Sequence, residues 1–99
     1  MAEGEVRVVK EMGVSHQDFF RVLPRVMGGV AYAVEGRTVR LAGEGRTLEI
    51  RLSEEHRRSL GNIVHLPYTM VELVFTGYSA EDRTAFLAEF ERQFFRGGG

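Results

Sequence analysis

The tetrapeptide EGRT occurs twice within residues 30–52, at Glu35–Thr38 and again at Glu44–Thr47, and each copy runs into alternating apolar and polar residues. A Glu-Gly step followed by period-two alternation is the pattern of a tight turn feeding a half-buried strand. With each Glu-Gly as a two-residue hairpin loop, Tyr32 faces Val39, Val30 faces Leu41, Leu41 faces Leu48 and Val39 faces Ile50. One apolar face then continues across three strands. The other face takes Ala31, Ala33, Thr38, Arg40, Thr47, Glu49 and Arg51, with Arg40 across from Glu49. A slip of one residue would turn the apolar set to solvent, which fixes the parity. Gly43-Glu44 is an alternative second loop, since primed turns need positive φ and glycine supplies it. It shifts the pairing by two and keeps the faces.

The flanking segments complete a domain. Glu5–Glu11 alternates as a first strand that Gly13 ends. Ser15 and Asp18 have capping-box spacing, Val14 and Phe19 occupy the hydrophobic-staple positions, and Phe19, Phe20, Leu23, Val26 and Met27 recur at helical intervals. Pro24 lies inside that pattern and predicts a kink or a restart; Gly28-Gly29 ends it. In the irregular stretch 53–69, Ser53 caps a predicted short helical turn with Glu54 and Glu55 first and Arg57 and Arg58 last, an order that complements the helix dipole. Ile63–Leu66 begins a strand that Pro67 interrupts. Tyr68–Thr76 alternates as the last strand. Ser79 and Asp82 open a final helix with the stripe Phe86, Leu87, Phe90 and Phe94.

The expected architecture is therefore α+β: one domain over residues 1–99, with 95–99 a glycine-rich tail. The order is β-α-β-β-β-β-α, giving an antiparallel sheet of four to five strands with two helices packed on one face. This order resembles that of the TATA-binding-protein-like and helix-grip folds. For helix-grip folds the resemblance implies a cavity between sheet and helices; it is a likeness of topology and carries no residue roles.

Composition removes several function classes. The chain has no cysteine, so disulfides, thiolate metal sites and thiol chemistry are excluded. It carries 13 basic and 14 acidic residues, a balance without the basic excess of a nucleic-acid binder. Its apolar runs are too short to cross a bilayer, and MAEGEVRVVK is too charged for a secretory leader, so no membrane association and a cytoplasmic location are expected. His16, His56 and His65 match no recurring metal spacing, and neither a metal nor a cofactor is expected. Gly97–Gly99 follow a helix and read as its cap and frayed end.

No motif specifies a reaction, and the chain reads as non-enzymatic. The favoured expectation is a small protein-interaction domain, with a protein partner or self-association. Its candidate surface combines Ala33, Thr38, Arg40 and Arg51 on the outer sheet face with His56, Arg57, Arg58, Asn62 and His65 in the irregular segment. One alternative is a small-ligand protein or enzyme with a cleft between sheet and helices near residues 53–68. Another is a nucleic-acid module using the arginines of the sheet face, which lacks the exposed aromatics that stack bases.

Overall fold

The structure, a computed structural model, describes residues 4–61 and 63–95. It contains β1 (Glu5–Met12), α1 (His16–Met27), β2 (Ala33–Glu35), β3 (Thr38–Gly43), β4 (Arg46–Leu52), β5 (His56–Leu60), β6 (Val64–Thr76) and α2 (Ala80–Phe95). All pairings are antiparallel, in the order β1-β6-β4-β3-β2, and β5 pairs β6 beyond the end of β4. This is the α+β domain expected from the sequence, with one further strand, β5.

The inner face follows the alternation. Val39, Leu48, Ile50, Val71, Leu73 and Phe75 are buried there against Phe19, Leu23, Val26 and Met27 of α1 and Phe90 and Phe94 of α2. The two helices meet through aromatic rings: Phe19 stacks on Phe94 at 5.0 Å between centroids and lies 6.3 Å from Phe90. Both serine N-caps form, with Ser15 Oγ accepting from the Asp18 amide at 3.1 Å and Ser79 Oγ from the Asp82 amide at 3.0 Å. Helix α1 continues through Pro24 to Met27 without the predicted interruption, and the Gly28 amide closes it on the Pro24 carbonyl. A proline near the end of a helix removes only its own amide bond, and the turns on either side hold the segment.

The second hairpin has the expected loop. Gly43 pairs Arg46, and Glu44 and Gly45 both hold positive φ, at 56° and 77°. The first loop is Gly36-Arg37 instead of Glu35-Gly36, because glycine takes the first loop position, where φ is 61°. Val34 therefore pairs Val39 in place of Tyr32, a shift of two that leaves every side chain on its expected face.

The segment 53–69 departs from the sequence reading. No helical turn follows Ser53; the chain forms β5, and β6 starts at Val64 and runs through Pro67. Leu52 pairs Val71 whereas His56 pairs Tyr68, so residues 53–55 stand opposite only Thr69 and Met70. One extra residue in a strand is a β-bulge, which bends the strand and inverts its alternation. The Ser53 amide donates to Met70 O, so even-numbered residues of β6 turn their backbone toward β4 and β5, and odd-numbered ones toward β1. Pro67 is odd-numbered and lies beyond Thr69, the last residue that β1 pairs. Its missing amide proton is thus at an unpaired edge, where proline is tolerated.

Gly77 makes the turn from β6 into α2 at φ 79°, and a Cβ there would stand 2.7 Å from the Gly45 carbonyl oxygen and 3.2 Å from Arg46 Cα. Gly28 has a comparable φ of 60° with nothing within 4 Å of such a Cβ. Gly28→Ala should cost about 1 kcal/mol, the left-handed penalty alone. Gly77→Ala should cost about 2 kcal/mol or more, because fixed backbone must also move. Urea denaturation of the two variants measures the difference, and equal costs would contradict the close approach.

Candidate interaction surface

Two regions carry the exposed chemistry. The first is the outer sheet face, where charges alternate across four strands. Arg7 of β1 bonds Glu72 of β6 at 2.6 Å, Glu72 receives Arg51 of β4 at 3.4 Å, Arg51 bonds Glu49 at 2.8 Å, and Glu49 pairs Arg40 of β3. Register places Thr38 beside Arg51 and Ala33 beside Arg40, so these four candidate residues form one patch. Arg40 and Arg51 are both ion-paired with Glu49, whose side chain is only 18% exposed, and Arg51 also reaches Glu72. The two guanidiniums hold the Glu49 carboxyl below its usual 4.5, against a smaller opposing effect of burial, and Glu49 in return raises Arg40. Val74 is buried on this face beneath the ion pairs, whereas Val9 at the β1 edge is 57% exposed.

The second region is the arm formed by β5 and the first part of β6. Five residue pairs, His56–Tyr68 to Leu60–Val64, join its strands, and it extends about 16 Å past the sheet. Its outward side carries Val64, Leu66, Tyr68, His56 and Arg58. His56 stacks on Tyr68 at 5.1 Å, and Arg58 lies 4.7 Å over the same ring while bonding Glu11 at 2.6 Å. The opposite side carries Arg57 and Ser59, with Ser59 Oγ hydrogen-bonded to His65 Nδ1 at 2.9 Å. Between residues 56 and 68 the arm has two arginines and two histidines and no acid. It also exposes Ile63 (88%), Val64 (44%) and Leu66 (46%). Asn62, the remaining candidate, and the tail 96–99 lie outside the described residues.

A polar junction anchors the arm to α1. The Thr69 hydroxyl, fully buried, donates to Val14 O at 2.9 Å; His16 Nε2 donates to Ser53 O at 2.7 Å; and the Glu55 carboxylate accepts the His16 amide at 2.9 Å. Ser53 Oγ accepts the Met70 amide at 3.0 Å. Ser53 and Glu55 thus do the work of caps, on a strand and on the first helix. Sequence reasoning missed this junction because its partners lie 37 to 55 residues apart.

Hollows line the other end of the molecule. Two adjoining ones, about 240 and 260 Å³, share Val30, Leu41, Arg46 and Tyr78, and neither is lined by His56 or His65. Arg46 crosses their mouth, bonding Asp82 at 2.6 Å and lying 4.4 Å over the Tyr78 ring. Among the described residues, no three of His, Asp and Glu group to hold a metal, and no helix is long and apolar enough to cross a membrane. No family model, curated protein or solved structure matches the chain.

The ion-pair ladder has a pH signature. Because the folded pKa of Glu49 is lowered, its stabilisation is complete above the ordinary glutamate value of 4.5 and is lost as pH falls through the lower folded value. Acid titration of stability should show this loss in the wild type and a flatter acid limb in Glu49→Gln. Identical limbs would place the effect elsewhere.

Proposed function

We propose that the chain is a non-enzymatic protein-interaction domain whose arm, with the adjoining outer sheet face, receives a protein partner. The observation that supports this reading is the arm's composition. A two-stranded hairpin without a covering layer is marginal in water, yet this one exposes Ile63, Val64 and Leu66 on a rigidly anchored base. Val64 and Leu66 share the outward side of the arm with Arg58 and His56, the make-up of an apolar contact centre with a polar rim. The paired arginines of the sheet favour protein over nucleic acid, since a phosphate backbone would have to displace Glu49 from both.

The test is retention from a lysate of the source organism on the immobilised wild-type chain and on Leu66→Asp, with partners identified by mass spectrometry. A protein held by the wild type and reduced at least about tenfold on Leu66→Asp, as expected for a central apolar contact, supports the reading. Circular dichroism checks that the variant remains folded. Equal retention on both, or none on either, overturns it.

A further inference from the structure

The long edge of the sheet offers a second surface, which meets the arm through the Glu11–Arg58 ion pair. β1 is the terminal strand, and among the described residues only β6 pairs it, whereas the opposite edge, β2, has three residues. The Gly77 amide donates to Gly4 O, so even-numbered residues of β1 turn their backbone toward β6. Glu5, Arg7, Val9 and Glu11 therefore present their N–H and C=O groups outward. Exposed edges of this length are usually protected by proline, a bulge or charged side chains; Glu5–Met12 has no proline and pairs β6 without a break, and the charges it carries, Glu5, Arg7, Lys10 and Glu11, are of both signs.

The side chains of this edge are complementary to themselves. In an antiparallel β1–β1 pairing with the two-fold axis at Val9, each Val9 meets the other, and Arg7 of each copy stands opposite Glu11 of its mate on the same outer face. The backbone agrees, because residues 7, 9 and 11 are the ones whose hydrogen-bonding groups face outward. Moving the axis to Val8 sets Glu5 against Glu11, moving it to Arg7 sets arginine against arginine, and moving it to Lys10 sets lysine against lysine. An axis at Val6 also sets Glu5 against Arg7, but it pairs only three residues of Glu5–Met12, whereas the Val9 axis pairs seven and combines apolar contact with opposite charges over that longer ladder. The helix layer adds to this edge: Glu91 bonds Lys10, and Phe95, four residues later on the same helical face, is 57% exposed.

We infer that a second copy of this chain docks on β1, antiparallel about Val9, to join the two sheets into one. Light scattering coupled to gel filtration should give twice the 11.2 kDa protomer mass. Val9→Pro removes an amide that β6 does not use, so it should leave the ladder intact and yield a monomer. Arg7→Glu, which does not touch the backbone, should weaken the dimer about tenfold by placing Glu opposite Glu11, and Arg7→Glu with Glu11→Arg should recover most of that loss. A wild-type monomer at about 100 µM overturns the inference. So does a dimer indifferent to both Val9→Pro and Arg7→Glu, and one dissolved by Leu66→Asp alone would assign self-association to the arm.

Discussion

Strand β6 is hydrogen-bonded to three others, and the rest of the molecule depends on that arrangement. From Val71 to Thr76 it lies between β1 and β4; from Val64 to Tyr68 it holds β5. Its inner residues Val71, Leu73 and Phe75 are fully buried, and Phe75 meets Tyr78 and Phe86 edge-on, which carries the core from the sheet into α2. On the opposite side Glu72 links Arg7 and Arg51, so the same strand joins the outer-face ion pairs of β1 and β4. A change of register in β6 would lose the core, the ladder and the arm together.

The bulge opposite Thr69 makes this one strand serve two purposes. By adding a residue it inverts the alternation, so His56 and Arg58 emerge on the outer face beside Tyr68 instead of entering the core. The cost of bending the strand there is offset by polar contacts from α1: the His16 imidazole, the His16 amide and Val14 O are each satisfied by the bulge or by Thr69. No buried side-chain polar atom is left unpaired among the described residues. The direction of the arm is therefore fixed by the N-terminus of a helix.

The sheet was legible wherever period-two alternation ran unbroken. The pairs Leu41–Leu48, Val39–Ile50 and Arg40–Glu49 are those set by the Glu44-Gly45 loop, one of the two loops the sequence allows, and both N-caps were readable from Ser15 and Ser79. The arm was not legible, for two reasons. The bulge breaks the alternation between Leu52 and His56, and the order Glu54, Glu55, Arg57, Arg58 mimics the charge sequence of a short helix. Glu55 does lie at a helix N-terminus, but at that of α1, brought there by tertiary structure. The candidate residues accordingly separate into a sheet patch around Arg40 and Arg51 and an arm group around Arg57 and Arg58. The arm group is tied to β1 by the Glu11–Arg58 ion pair.

The central claim, that β6 is the axis of the fold, paired on both sides in its second part and by β5 alone in its first, is tested most directly by native-state amide exchange. The account predicts that Val71, Leu73 and Phe75 exchange only through global unfolding, because their amides face β1 within the core. The amides of Val64, Leu66 and Tyr68 face β5 alone and should exchange through local opening, with protection at least about 2 kcal/mol below the global value. Uniform protection along Val64–Thr76 would contradict the account.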